Sequence, residues 1–101
     1  MLAYQLTQDA QNDLQKIRHY TLATWGQAQS KKYLQSIQAT IHGLCEFPLK
    51  GRLRPELAEG VRSFPVAGHV IYYFTSPKKL TVFAVLHGRM VPFEHLKNRD
   101  S

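Results

Sequence analysis

An apolar run near the C-terminal end constrains the fold of this chain more than any other feature. Residues 80–86 read LTVFAVL, and His87 and Gly88 follow at once. A run of strand length that is rich in Val and Phe and ends at glycine is typical of a strand buried on both faces of a sheet. The sheet would then deliver His87, Arg89 and Met90 to one place at its edge, where binding and catalytic groups are often held.

A short strand and two amphipathic helices are predicted in the N-terminal half. Residues 2–6 alternate in polarity, as a half-buried strand does. Thr7 can then cap a helix that ends at Gly26, because glycine readily takes positive φ, and a second helix follows directly and stops at Pro48. The short turn between the helices predicts an antiparallel hairpin. Helical spacing predicts a buried stripe on each helix: Ala10, Leu14, Ile17, Tyr20 or Thr21, and Trp25 on the first; Ser30, Tyr33, Leu34, Ile37, Ile41, Leu44 and Cys45 on the second.

The pattern changes to strands in the C-terminal half. Residues 49–60 are expected to form a loop, because they hold two Gly and one Pro and no regular period. Residues 92–96 are expected to form one helical turn, and residues 97–101 to fray. Strands are predicted at 61–66, 69–75 and 80–86, with turns at 67–68 and 76–79. The predicted order is β-α-α-β-β-β, an α+β fold with a helical hairpin packed on a mainly antiparallel sheet.

Size and charge limit the kinds of partner. The chain has 101 residues, which suits one domain over residues 1–101 with a modest core. Lys and Arg number 13 against 7 Asp and Glu, so the net charge is +6 and the isoelectric point is near 9.7. We therefore expect an acidic partner, which would be nucleic acid, an acidic protein or a complex of both. The alternative is a domain whose basic charge serves no partner.

The cellular setting is expected to be the cytoplasm. Cys45 is the only cysteine, so a disulfide within the chain is excluded, and a small buried hydrophobe is its expected role. The first ten residues lack the basic leader and apolar core of a signal peptide. No run approaches the ~20 apolar residues of a membrane span, so no membrane contact is expected.

Two histidines are expected to meet at one end of the sheet. His69 opens one strand and His87 ends the next, and counting outward from the turn places position 69 opposite 86 or 87. Arg89 and Arg62 could join them. One imidazole could then activate a ribose 2′-hydroxyl while the other protonates the leaving oxygen. The alternative is that both histidines make local hydrogen bonds at strand ends.

The remaining chemical signals are weaker. Arg52 and Arg54 are candidates for contact with nucleic acid or an acidic partner, because a guanidinium fits phosphate and carboxylate, and solubility is the alternative. Arg62 lies on an apolar strand face and is expected either at its edge or aimed into a site. His42 and Cys45 lie one turn apart without a second pair of metal ligands. No nucleophile motif or phosphate loop occurs, so no catalytic residue, cofactor or metal is assigned.

Four segments, in their order and spacing, resemble the ParE toxins of type II toxin–antitoxin systems, within the RelE/ParE superfamily. Together they span nearly the whole chain. They read YQLTQDAQNDLQKIRHYTLATWG, EFPLKGRLRPEL, GVRSFPVAGHVIYYF and VLHGRMVPFEHL. The chain departs from that family after His-Gly-Arg-Met, where an Asp and, three residues later, an Arg are common and this chain has Val91 and Glu94.

The resemblance implies a cofactor-free toxin that inhibits DNA gyrase by stabilising its cleaved-DNA complex, which blocks replication. It also implies a cognate antitoxin, ParD-like and acidic with a DNA-binding half, that neutralises the toxin in a hetero-oligomer. RelE toxins share the fold and cut mRNA on the ribosome, so mRNA cleavage is the alternative activity, although the tail MVPFEHL has no Tyr to serve as acid or base. A copy that has lost toxicity is a third possibility.

Under this interpretation, the end of the last strand and the tail contact the target and carry out no chemistry. The expected target-binding residues are Arg62, His87, Arg89, Met90, Phe93 and His95. Arg52 and Arg54 are expected to contact nucleic acid or an acidic partner. A groove between hairpin and sheet is expected to seat an amphipathic helix of the antitoxin.

Overall fold

The structure, a computed structural model, describes residues 1–90, 92–97 and 99, and it has the predicted order of one strand, two helices and then strands. Within these residues the elements are β1 (Ala3–Leu6), α1 (Gln8–Trp25), α2 (Gln27–Glu46), β2 (Arg52–Leu53), β3 (Arg62–Val66), β4 (His69–Thr75), β5 (Lys79–His87) and α3 (Pro92–Leu96). The predicted α+β fold is confirmed. None of the described helices is long and apolar enough to cross a membrane.

The strands form one sheet in the order β1-β5-β4-β3-β2. β1 runs parallel to β5, and the other neighbouring strands are antiparallel, which confirms the mainly antiparallel sheet. β1 pairs only with residues 79–82 of β5. Among the described residues, the second half of β5 therefore has a strand neighbour only on its β4 side.

β5 is the strand that the apolar run predicts, and all of residues 80–86 are buried in it. The helical hairpin covers one face of the sheet, where Leu80, Val82 and Val85 join the first core. A second, smaller core lies on the other face, beneath residues 57–58 and α3. The alternation of faces shifts by one residue at Phe83, because a β-bulge leaves this residue without a partner on β4.

The helix boundaries follow from local chemistry. The Thr7 hydroxyl accepts the backbone N–H of Ala10 at 3.2 Å and so caps α1. Gly26, with φ of 86°, ends α1 and begins α2 in a conformation that favours glycine. Cys45 is buried, as predicted, and burial raises the pKa of its thiol.

The buried stripe of α1 differs from its prediction at the end of the helix. Thr21 is the buried member of the pair Tyr20 and Thr21, and its hydroxyl lies 2.7 Å from that of Ser30 on α2. Burial of Trp25 was wrongly predicted, since half of its surface is exposed. Its ring instead lies against Tyr20 and Tyr33 on the outside of the hairpin.

Three further predictions were wrong in part. The loop at 49–60 contains β2, because Arg52 and Leu53 pair with β3, and the predicted strand at 61–66 begins at Arg62. Fraying of residues 97–101 is wrong at Arg99, whose guanidinium is bound to a buried carboxylate. Residues 98, 100 and 101 lie outside the described residues.

Candidate functional site

The two histidines meet at one end of the sheet, as predicted. His69 and His87 are register partners on β4 and β5, and their rings pack edge to face with centroids 5.4 Å apart. The strand ladder continues one step beyond them, since the Gly88 N–H donates to the Gly68 carbonyl at 2.9 Å. This pairing fixes both imidazoles against one another.

His69 is held from the helical layer. The hydroxyl of Tyr33 on α2 contacts His69 Nδ1 and accepts the N–H of Gly68 at 3.2 Å. The direction of the Tyr33–His69 hydrogen bond depends on the tautomer of the ring, since the hydroxyl can donate to an unprotonated Nδ1 or accept from an Nδ1–H. Burial lowers the pKa of His69, the charge of His87 lowers it further, and Asp13 acts in the opposite direction. His69 is therefore neutral at physiological pH.

His87 is exposed and is oriented by its own turn. Its Nδ1 accepts the backbone N–H of Arg89 at 3.1 Å, which leaves Nε2 free to face a partner. The side chain of Arg89 is exposed beside it. His87 thus makes the local hydrogen bond of the alternative considered from the sequence, whereas His69 bonds to Tyr33, 36 residues away on α2.

A cleft opens between α1, the ends of β4 and β5, and α3. Its volume is about 390 Å³. Its walls carry Lys16 and three histidines, and its floor is apolar. The lining residues are Asp13, Lys16, Ile17, Tyr20, His69, Val85, Leu86, His87, Met90, His95 and Arg99. An anionic group with an apolar body would match this combination of charge and surface.

A buried ion pair closes one end of the cleft. Arg99 donates to both carboxylate oxygens of Asp13, at 2.7 and 3.0 Å, and the exposed fractions of the two side chains are 15% and 6%. Hydrogen bonding to Asp13 raises the pKa of Arg99. The Val85 N–H donates to Asp13 at 2.9 Å, and Arg99 donates to the Phe83 carbonyl at 3.3 Å. The pair therefore satisfies backbone groups of β5 that lie beyond the end of β1.

The ion pair was not predicted from the sequence, although the position of Asp13 indicates that this residue needs a partner. Asp13 lies three residues after Ala10 and four before Ile17, on the buried stripe of α1. A carboxylate on such a stripe needs a cationic or hydrogen-bonding partner. Nothing in the sequence identified Arg99 as that partner, because it lies 86 residues away.

The structure brings together half of the predicted target-binding set. His87, Met90 and His95 line the cleft, while Phe93 lies on the opposite side of α3, in a pocket of about 280 Å³ with residues of the second core. Arg62 lies at the far end of β3, where its guanidinium donates to the carbonyls of Leu49 and Gly51. Their roles as target contacts stay predictions.

The two remaining arginines have different environments. Arg54 is paired with Glu56 at 2.7 Å, and this hydrogen bond raises the pKa of Arg54. Its guanidinium also lies over the ring of Tyr72 at 5.9 Å. Arg52 is exposed on β2. Of the two, Arg52 has the more accessible charge. Within the described residues, no three side chains of His, Cys, Asp or Glu are grouped as metal ligands would be.

Comparison with known proteins identifies the family. The family described as "ParE toxin of type II toxin-antitoxin system, parDE" matches residues 4–92. The chain is 32% identical to Toxin ParE1 of Caulobacter vibrioides, over 95% of this chain and 99% of that protein. It is 35% identical to Toxin ParE of Escherichia coli, over 98% of this chain and 97% of that protein. It is 33% identical to Toxin ParE1 of Mycobacterium tuberculosis, over 86% of this chain and 90% of that protein.

The fold also has a counterpart among solved structures. A chain from the structure described as "Chromosomal ParDE TA system from P. aeruginosa" superposes with a TM-score of 0.74 at 20% identity, over 86% of this chain and 96% of that one. At this identity the likeness concerns the fold alone. The family match and the relatives at 32% and 35% identity confirm the resemblance seen in the sequence: the chain belongs to the ParE toxins of type II toxin–antitoxin systems.

Proposed function

We propose that this ParE-family toxin inhibits DNA gyrase by stabilising the complex in which gyrase holds cleaved DNA. Replication stops because the break is not resealed. The toxin acts by binding and catalyses no reaction of its own. The observation that carries the proposal is membership of the ParE family, with a match over residues 4–92.

The geometry of the cleft supports binding. Lys16, His87 and His95 give it a basic rim above an apolar floor, as an acidic partner complex requires. General acid catalysis of RNA cleavage would need a protonated imidazole near neutral pH. Burial lowers the pKa of His69, so this ring is a poor general acid near neutral pH, while a neutral imidazole can still act as a general base.

A cognate antitoxin completes the proposed system. The net charge of +6 suits an acidic, ParD-like partner whose disordered segment folds over the toxin. The long groove between α1, α2 and β1, with a volume of about 380 Å³, has an apolar floor that would seat an amphipathic helix. The partner's DNA-binding half would remain outside this contact, in a toxin–antitoxin hetero-oligomer in the cytoplasm.

A gyrase cleavage assay tests the proposed activity. Purified toxin is incubated with gyrase holoenzyme, ATP and plasmid, and the DNA is treated with detergent and protease. We expect linear plasmid in proportion to toxin and a loss of supercoiling. The double variant His87→Ala/Met90→Ala is expected to yield about tenfold less linear product, because it removes two side chains of the cleft. His19→Ala, on an exposed position of α1, is the matched control.

A translation reaction run in parallel tests the alternative activity. Cleaved mRNA with gyrase unaffected would favour a ribosome-dependent endonuclease. Normal supercoiling at a large excess of toxin, with translation also intact, would overturn the proposed activity. Adding the product of the adjacent reading frame tests neutralisation, and gyrase is expected to recover when the two proteins are equimolar.

A further inference from the structure

A second surface of the molecule exposes large apolar side chains. It is formed by residues 47–53, which comprise the link that follows α2 together with the short strand β2 and are called the tip below. Phe47, Leu49 and Leu53 are 60%, 72% and 51% exposed. Three such residues within one short segment form a concentration of apolar surface that is typical of a binding site.

The tip is held rigidly from inside. Tyr73, which is fully buried, accepts the N–H of Gly51 and donates to the carbonyl of Pro48, both at 2.9 Å. Arg62 donates to the carbonyls of Leu49 and Gly51 at 3.2 and 2.7 Å. Phe47 and Leu49 are therefore presented on a fixed backbone, so that binding through them requires little further ordering of the chain.

Positive charge accompanies the apolar side chains. Lys50 and Arg52 are exposed within the tip, and the Lys50 ammonium lies 5.2 Å from the ring centre of Phe64. Glu46, at the end of α2, is the acidic neighbour along the chain. Apolar wedges beside cations are a recurring means of binding DNA, in which the wedge enters a base step and the cations contact the flanking phosphates.

The tip and the cleft lie at opposite ends of the sheet. Arg62, at the first end of β3, contacts the tip, while Val66, at its last end, pairs with His69 beside the cleft. Four residue steps along β3 separate them by roughly 13 Å. One partner complex could therefore contact both surfaces at once.

We propose that the tip contacts the DNA of the cleavage complex, with Phe47 and Leu49 at an unstacked base step and Lys50 and Arg52 on the adjacent phosphates. The proposal rests on the proposed function and specifies one of its contacts. Opening a base step costs least where a strand is already broken, since stacking is interrupted there. The tip would thus bind cleaved DNA more tightly than resealed DNA, and this difference in affinity shifts the population toward the cleaved form.

The test compares nicked and intact duplex oligonucleotides of the same sequence, with affinity measured by fluorescence anisotropy on the full chain. We expect tighter binding to the nicked duplex. Phe47→Ala/Leu49→Ala is expected to weaken binding to nicked DNA by about tenfold, the usual cost of losing one stacking side chain, and to affect intact DNA less. Leu22→Ala, at another exposed apolar position, is the matched control and should bind as wild type does. Thermal melting confirms that each variant is folded.

A second pair of variants separates charge from apolar contact. Lys50→Gln/Arg52→Gln is expected to reduce the slope of log affinity against log salt by about 2, because two phosphate contacts are lost.

Equal affinity of Phe47→Ala/Leu49→Ala and wild type for nicked DNA would overturn the proposal. It would also fall if this variant lost affinity for gyrase subunits or antitoxin in the absence of DNA, since the tip would then be a protein contact.

The gyrase assay distinguishes failure of this proposal from failure of the proposed function. If the tip variants poison gyrase as wild type does, the tip proposal is wrong and gyrase inhibition stands. If wild type leaves gyrase unaffected while the tip variants still bind nicked DNA more weakly than wild type does, gyrase inhibition is wrong and the DNA contact is supported.

Discussion

Of the six glycines, Gly51 is the one at which the fold tolerates an added side chain least. A Cβ atom at this position would overlap the hydroxyl and ring carbons of Tyr73. Tyr73 has little room to move away, because it is buried and its hydroxyl makes two backbone hydrogen bonds. We expect Gly51→Ala to lower the free energy of unfolding by about 1–3 kcal/mol, the usual cost of overpacking, as measured by urea denaturation.

Gly43 provides the matched control for this prediction. It lies inside α2, and a Cβ at Gly43 would meet no atom within 4 Å. Gly43→Ala is expected to raise the free energy of unfolding by up to about 1 kcal/mol, because alanine is the better helix former. A shift of the same sign and size in both variants would contradict the steric explanation.

His69 gives the stability of the protein a defined dependence on pH. Its pKa lies below the ordinary value of 6.5, mainly because burial disfavours the charged ring. Between the two pKa values the unfolded chain binds more protons than the folded chain, so stability increases with pH in this window. We expect the free energy of unfolding to fall as the pH is lowered through about 6.5, and this contribution to level off below the pKa of folded His69.

Variants assign this dependence to one residue. Urea denaturation across the pH range should give a flatter profile for His69→Gln than for wild type. His19→Gln, at an exposed position, should leave the profile unchanged. An equally steep profile in His69→Gln would show that other groups cause the dependence.

At the scale of elements, the ion pair with Asp13 ties Arg99, three residues past α3, to α1, while Leu96 packs α3 into the second core. Removing Arg99 would leave a buried carboxylate without its cation, and breaking such a pair typically costs 3–5 kcal/mol. We expect Arg99→Ala to cost about 3 kcal/mol, at the lower end because Arg99 keeps some contact with solvent. Hydrogen exchange within residues 92–97 should become faster in the same variant, since α3 loses its link to α1.

The double variant Asp13→Asn/Arg99→Ala tests the physical cause. It has no unpaired charge, so it should regain part of the stability that Arg99→Ala loses. Glu56→Gln breaks the exposed pair with Arg54 and should leave the melting temperature almost unchanged. If Arg99→Ala behaved like Glu56→Gln, the ion pair would have no structural role.

Elements with a regular period could be predicted from the sequence, and contacts between distant segments could not. The stripes of α1 and α2 and the apolar run of β5 follow from periods of 3.6 residues and from strand composition, and the pairing of His69 with His87 follows from the length of the hairpin. β2 was missed because two residues carry no period. Half of the cleft was missed because α3 and Arg99 are positioned by a carboxylate on α1, and no local pattern records that contact.

At the scale of the whole molecule, the parallel pairing of β1 with β5 has a consequence for synthesis. Ala3 pairs with Lys79, so among the described residues the first strand along the chain has the last strand as its partner. A growing chain therefore cannot bury the centre of its sheet until β5 has been synthesised, and contacts so distant in sequence form slowly. The cleft, whose walls include the ends of β4 and β5, therefore assembles only after β5 has been synthesised.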